Sequence, residues 1–303
     1  MNNKPEASVI VGTFNGSHKI SHLLNALLNQ TFQNFELIIV VDGSTDNTIQ
    51  TVEEYRSLFK CFKIVVQSNE GRSRVRNKGV MESVSDLLIF YDDDMVPFND
   101  SIQRHIMFHK KNNGILGGNQ IELQSSDKTD IQNYKAFLTE VWTRKYSDEI
   151  TKLDFTNVFF TAANCSIQKD IFKSMNGFDP SLTDAEDHDF AFRALCNGIS
   201  VYFDKGNKAI HRDFITCITY IERLRLYAKA HGQLEVKYPD RYKNGKRKNH
   251  LIKRGIYRFF AKPYWPLQIE KKIITTLLPK RLRYKLYSLV IQALAIEYPE
   301  VKL

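Results

Sequence analysis

Leu87, Leu88, Ile89, Phe90 and Tyr91 run without alternation into three consecutive carboxylates, Asp92, Asp93 and Asp94. An unbroken apolar run of this kind reads as a strand buried on both faces, as in a parallel sheet. The carboxylates then sit where the strand ends and a loop opens, and in open α/β sheets that edge is where ligands bind. Adjacent carboxylates repel one another unless a cation lies among them. Hard divalent ions such as Mg2+ or Mn2+ take oxygen ligands and often keep phosphate oxygens as their other ligands. The stretch therefore suits a metal site for a diphosphate, or equally an acidic turn in water.

Upstream the chain alternates strands with helices. Residues 8–11 form a short β-branched strand, followed by a loop Gly12, Thr13, Phe14, Asn15, Gly16. Ser17 is placed to cap a helix whose apolar residues Ile20, Leu23, Leu24, Leu27 and Leu28 share one face. A second buried strand, 35–41, again ends on an acid, Asp42, in the sequence Asp42, Gly43, Ser44. A helix over 48–59, a strand over 62–66 and a helix carrying Arg72, Arg74 and Arg76 complete βαβ units with a mostly parallel sheet. Three loops, carrying Thr13 and Asn15, then Asp42, then Asp92 to Asp94, would open on one edge. Asp42 suits the imide edge of a nucleotide base, or simply a turn bonding its own backbone. The three arginines suit phosphate or a solvated helix face.

Beyond Asp94 the pattern changes. A strand over 115–123 carries a Gly117-Gly118 kink, and Tyr134, Phe137, Leu138, Val141 and Trp142 fall at helical spacing, as packing residues do. Residues 159–167 are small and apolar, suited to lining a pocket. A helix from about Lys169 stops at Asn176-Gly177. Glu186, Asp187 and Asp189 open another helix, where acids favour the dipole and where one could equally serve as a general base. A strand over 199–203 precedes His211.

With 303 residues the chain holds one large domain plus an appendage, or two domains. No apolar run approaches the roughly 18 residues that span a bilayer, and the first six residues lack a signal-peptide core. Cys61, Cys165, Cys196 and Cys217 show neither paired nor metal-ligand spacing, which favours a reduced, cytoplasmic setting. A formal charge of +9 points to an acidic partner: nucleotide, nucleic acid or anionic membrane.

Seven motifs in order resemble the family 2 glycosyltransferases: Ser8 to Asn15, Val41 to Asp46, Asn69 to Gly79, Asp92 to Asp94, Gly177 to Asp179, Glu186 to Asp189, and His211-Arg212. The resemblance implies a GT-A fold, an α/β, Rossmann-like, mixed and mostly parallel sheet with flanking helices. It implies domains at 1–214 (a nucleotide-binding half, 1–98, and an acceptor half, 99–214) and a basic, mainly helical extension at 215–303. It implies that Asp42 contacts the base with Thr13 and Asn15 beside it, that Asp94 binds Mn2+ or Mg2+, and that Asp92 faces the donor's ribose or sugar. Arg76, Asp93 and Glu186 join them on the substrate side, Asp187 matches the catalytic base, and His211 matches a position that assists the metal or diphosphate. Val41 and Gly12 depart from the family pattern, which more often has an acid and a proline there. The Gln-x-x-Arg-Trp signature of processive synthases is absent, so the resemblance implies single, inverting additions from a nucleotide-sugar, by family usage a UDP-sugar, to a saccharide or lipid-linked acceptor in surface glycan synthesis.

The last stretch lies outside the resemblance. From Arg241 to Lys285 fifteen Lys or Arg face one acid, Glu270, interleaved with Tyr257, Phe259, Phe260, Tyr264 and Trp265. Such mixing suits the inner, anionic face of the cell membrane, or a solvated helical bundle. Nucleic acid would feel the same charge but leaves the acid-lined sheet edge unexplained. An inactive scaffold of the same fold would not need the full set of carboxylates.

Overall fold

A computed structural model describes residues 4–147, 150–182, 184–239 and 251–303, with side chains from 254 onward in the last segment. The apolar runs become strands: β1 (Ala7–Thr13), β2 (Phe35–Asp42), β3 (Phe62–Gln67), β4 (Leu87–Asp92), β5 (Met95–Pro97), β6 (Ile115–Ile121), β7 (Ile150–Leu153), β8 (Asn164–Gln168) and β9 (Val201–His211). Among the described residues they join in one sheet, ordered β3-β2-β1-β4-β8-β6-β9-β5, with β7 on β9. The β1–β2, β2–β3, β1–β4 and β6–β9 ladders are parallel. The β4–β8, β6–β8, β5–β9 and β7–β9 ladders are antiparallel. The expected mixed sheet, with its longer ladders parallel, is present.

The helices are α1 (Ile20–Leu28), α2 (Thr48–Glu53), α3 (Arg72–Glu82), α4 (Ser101–His109), α5 (Asp130–Thr143), α6 (Lys169–Ser174), α7 (Glu186–Cys196), α8 (Cys217–Lys237), α9 (Leu251–Phe260), α10 (Trp265–Ile269), α11 (Lys272–Leu277) and α12 (Lys280–Gln292). Strand alternation sorts the sheet into two cores. Val9, Val11, Leu37, Ile39, Ile89 and Tyr91 meet α1, α2 and α4 on one face. Ile10, Ile38, Val40, Leu88 and Phe90 meet α3, α6 and α7 on the other. Full burial of each such side chain stabilises by about 1.5–3 kcal/mol, so these rows fix the sheet edge on which the loops stand.

Local departures from the sequence reading have plain causes. Ser17 does not cap α1; its hydroxyl donates to Asp46 at 2.7 Å, and Lys19 holds the cap position without a side-chain bond. The helix expected over 48–59 ends at Glu53 and gives way to a 3-10 turn at Arg56–Leu58. The strand ending at 203 instead continues to His211, opposite β6, which shifts register between Gly118 and Asn119. The four cysteines are free.

The chain divides into two compact units: the described residues of Met1–Glu122, Trp142–Leu182 and Glu186–Asp213, and those of Leu123–Val141, Thr183–Ala185 and Phe214–Leu303. The first holds the sheet. The second is helical, with Ile131, Tyr134, Ile221, Tyr287, Val290 and Leu294 in its core. Part of the aromatic stripe packs here, as its spacing suggested: Tyr134 stacks on Tyr287 at 5.3 Å and Phe137 meets Tyr284 at 5.2 Å.

Candidate active site

Parallel register sets the three loops side by side. Gly12 pairs with Asp92, Thr13 with Val41, and Asp42 with Gln67. The loops leave a cleft of about 380 Å3 lined by Thr13, Phe14, Lys19, Asp42, Arg72, Arg76 and Asp92 to Asp94, among others. That volume lies within the range of small-molecule sites.

Asp42 lines the cleft with its carboxylate already engaged. Oδ1 accepts from Gln67 Nε2 at 2.9 Å and from the Glu70 N–H at 2.8 Å, and Oδ2 accepts from the Gly71 N–H at 2.9 Å. It thereby folds the 67–71 loop down over the edge. Gly43 makes this approach feasible: its φ is +70°, and an added Cβ would lie 2.6 Å from the Asn69 nitrogen. Asn15 also organises loops. It adopts a left-handed backbone, φ 46°, and its Oδ1 accepts from the Thr45 N–H at 2.8 Å.

The three adjacent aspartates have three different surroundings. Asp92 Oδ1 accepts from Arg76 Nη2 at 2.6 Å, and Arg76 Nη1 donates to Glu186 Oε1, so one buried guanidinium joins two carboxylates. Asp93 is 6% exposed, with Oδ1 2.8 Å from Lys19 Nζ and Oδ2 accepting from Thr13 Oγ1 at 2.6 Å. Burial leaves the Asp93 carboxyl above its usual range against the pull of Lys19 and Thr13. Burial lowers the Lys19 ammonium, but Asp93 and its neighbours outweigh this and raise it. The 2.8 Å contact with Lys19 and the Thr13 hydrogen bond favour the charged pair.

Asp94 differs again. β5 pairs with β9, setting Met95 opposite His211, and the Arg212 N–H donates to the Asp94 carbonyl at 2.9 Å. This brings His211 Nε2 to 3.4 Å from Asp94 Oδ2, while His211 Nδ1 lies 3.3 Å from Glu122 Oε1. Asp94 Oδ1 is buried and has no hydrogen-bond partner among the described residues. A buried oxygen left bare is costly and calls for an absent water or ion. Among the described residues no three His, Cys, Asp or Glu are arranged to enclose a metal. Asp94 and His211 nonetheless set a carboxylate oxygen beside an imidazole, a donor set of the kind that would suit Mn2+ or Mg2+.

Asp187 opens α7. Its Oδ1 accepts from the His188 N–H at 2.7 Å and its Oδ2 from the Ala162 N–H at 3.2 Å. A helix N-terminus alone would keep it ionised. Burial, then the charge of Glu186, override the opposing effect of Arg76 and these N–H groups, and push the carboxyl up to about 7. Glu186 itself is 3% exposed and is spent on Arg76; it does not line the cleft.

Neighbouring motifs act as a latch. Asn77 accepts from the Phe178 N–H at 3.0 Å and donates to the Phe178 carbonyl at 2.8 Å, and Ser73 donates to the Asp179 carbonyl at 3.0 Å. Arg193, paired with Asp189 at 2.7 Å, donates to the Gly177 carbonyl at 2.8 Å. The buried face of α3 thus locks onto the turn before α7.

The cleft gathers Thr13, Asp42, Arg76, Asp92, Asp93 and Asp94 of the residues singled out from sequence. His211 touches Asp94, whereas Asn15, Glu186 and Asp187 are not among the lining residues. Lys19, Phe14 and Glu122 were not foreseen. A lysine just before an amphipathic helix carries no signal of its own, and an acid far along the chain from its histidine carries none either.

The model of glycosyl transferase family 2 matches residues 8–175. An uncharacterised glycosyltransferase of Haemophilus influenzae is 30% identical over 137 residues, 42% of this chain and 55% of that protein. Over three curated relatives the matched share of their own length is 26%, 55% and 25%. S. aureus TarS 1–349 in complex with UDP-GlcNAc superimposes with a TM-score of 0.53 at 19% identity, over 97% of this chain and 92% of that one. Mannosyltransferase PcManGT from Pyrobaculum calidifontis, in complex with GDP-Man and Mn2+, gives 0.58 at 14% identity over 100% and 77%. At these identities the two structures establish a shared fold.

Proposed function

Because the chain belongs to glycosyl transferase family 2, we propose that it transfers one sugar at a time from a nucleotide-sugar to a saccharide or lipid-linked acceptor of surface glycan synthesis, inverting the anomeric centre. The observation that carries this reading is the bare, buried Asp94 Oδ1 beside His211 in a carboxylate-lined cleft at the sheet edge. The TarS complex with UDP-GlcNAc supports a UDP-sugar as the first donor to try. Release of free nucleoside diphosphate from a panel of UDP- and GDP-sugars, with Mn2+ present, tests the proposal. No release from any member would overturn it.

Asp42 and the loop it folds receive the base, with Thr13 on the cleft wall. Arg76 fixes Asp92 toward the donor and Glu186 behind the base residue. Asp187 takes the proton of the acceptor hydroxyl. As it does so, the acceptor oxygen bonds to the anomeric carbon on the face opposite the breaking carbon–oxygen bond to the diphosphate. The nucleoside diphosphate leaves with that electron pair. Asp94 and His211 would hold the divalent cation, which when bound supplies Lewis-acid stabilisation of the leaving group.

Asp94→Asn is accordingly expected to weaken Mn2+ and donor binding together, read by calorimetry. Full turnover in excess chelator would sink the metal requirement.

A peripheral seat on an anionic membrane fits the same acceptor class. No described helix is long and apolar enough to cross a bilayer. In the helical unit Ile256, Phe259, Tyr264, Leu267, Ile273 and Leu277 are exposed, and Arg258, Lys262, Lys271 and Lys272 are exposed among them. The basic residues from Arg241 to Lys248 lie outside the described segments. Binding to phosphatidylglycerol vesicles should be strong at low salt and fall as salt rises, since exposed charges are screened over about 10 Å at 0.1 M. An intact protein that ignores such vesicles at low salt would remove the membrane from the reading.

A further inference from the structure

Lys19 stands where a charged residue ordinarily points into water, immediately before α1. Here its side chain instead turns toward Asp93. Ile20 behind it is fully buried, and the Lys19 N–H donates to the Gly16 carbonyl at 3.0 Å. The turn between them is tight: a Cβ added at Gly16 would lie 2.2 Å from Thr13 Oγ1 and 2.7 Å from Asp93 Oδ2. Held there, the lysine lines the cleft with 27% of its side chain exposed and Nζ 2.8 Å from Asp93 Oδ1.

The charges around it divide cleanly. Asp92 is matched by Arg76 and Asp93 by Lys19, which leaves Asp94 as the carboxylate for a cation. Asp93, with its second oxygen taken by Thr13, is an anchor rather than a ligand. An ammonium carries three donors. Among the described residues Lys19 Nζ pairs with Asp93, so two donors remain for a bound molecule.

We propose that Lys19, anchored by Asp93, binds the donor's diphosphate and stabilises the negative charge that grows on it during departure, independently of bound metal. Fixed cationic donors aimed at developing charge need no reorganisation during reaction. The inference rests on the glycosyltransferase reading of the cleft. It gives the second aspartate of the triplet a role apart from metal binding, and it implies that nucleotide affinity does not vanish with the metal.

The test is calorimetric titration of UDP and GDP, with uridine and guanosine as controls, each in Mn2+ and again in EDTA. The proteins compared are the unaltered chain, Lys19→Met, Lys19→Arg and Lys19→Met/Asp93→Asn. Lys19→Met should weaken diphosphate affinity about tenfold or more in both conditions, the scale of a charge-assisted hydrogen bond. Nucleoside affinity should not change, Lys19→Arg should keep most of the affinity, and the double variant should stay as weak as Lys19→Met. Equal affinity of Lys19→Met and the unaltered chain would overturn the assignment. So would recovery in the double variant, because the loss would then come from an uncompensated Asp93. If the unaltered chain binds neither UDP nor GDP in either condition, the reading of the cleft itself falls.

Discussion

Asp187→Asn is expected to lower turnover by about 10²–10⁴-fold while nucleotide and Mn2+ binding stay near normal. The amide keeps the shape of the carboxylate and one of its two backbone N–H contacts, but it cannot accept the acceptor's proton. Asp187 stands apart from Arg76, Asp92 and Asp94 in one respect: it does not line the cleft. Loss of catalysis without loss of binding therefore separates it from Asp94→Asn, which should lose both. Near-normal turnover in Asp187→Asn would count against the role. So would a product that retains the donor's anomeric configuration, since a single displacement must invert it.

The same residue sets a pH profile. A base works in its ionised form, and the carboxyl is pushed up to about 7, chiefly by burial and by Glu186. kcat/KM should therefore rise with pH and level off above about 7. The stability effect has a definite sign as well. A carboxyl raised above its unfolded value of 3.8 favours the folded state while protonated, and that advantage is lost as pH rises toward about 7. Asp187→Asn does not titrate, so above neutrality it should melt at a higher temperature than the unaltered chain. A flat activity profile between pH 5 and 8 would contradict the assignment.

The strands of the first half are legible because burial on both faces leaves no room for polar alternation: Val9 to Val11, Leu37 to Val41 and Leu88 to Tyr91 could hardly be anything else. Their partners are less visible. Nothing in the run from Asn164 to Gln168 says that it enters antiparallel between β4 and β6, because periodicity fixes a face and not a neighbour. The extension of β9 to His211 was hidden by Asp204, Lys205, Gly206 and Asn207, which read as a break; Asp204 and Asn207 are in fact buried.

The site was legible as a set of residue types at a sheet edge, and less so as a division of labour. Arg72, Arg74 and Arg76 look alike in sequence. Only Arg76 falls in line with the buried Ser73, Gly79 and Val80 on α3, and that register takes it under the cleft. Asp92, Asp93 and Asp94 look equivalent, yet their partners come from Arg76, Lys19 and His211 on three separate elements. A helix start suggested an ionised Asp187; burial and one neighbouring acid proved stronger than the helix end.

Arg76→Met should be strongly destabilising. The Arg76 side chain is buried and joins the buried Glu186 to Asp92. Its removal leaves a buried carboxylate without its partner, which typically costs about 3–5 kcal/mol. Urea denaturation should record that loss, and a deficit under about 1 kcal/mol would show the pair to be dispensable. Arg76→Met/Glu186→Gln, which removes the stranded charge, should recover part of the stability. Activity gives an independent readout. Arg76 draws the Asp187 carboxyl down against burial and Glu186, so any turnover left in Arg76→Met should rise at higher pH than in the unaltered chain. The double variant should move that midpoint back, since Glu186 pushes in the opposite direction. A purely structural arginine would change the denaturation midpoint and leave the pH profile where it was.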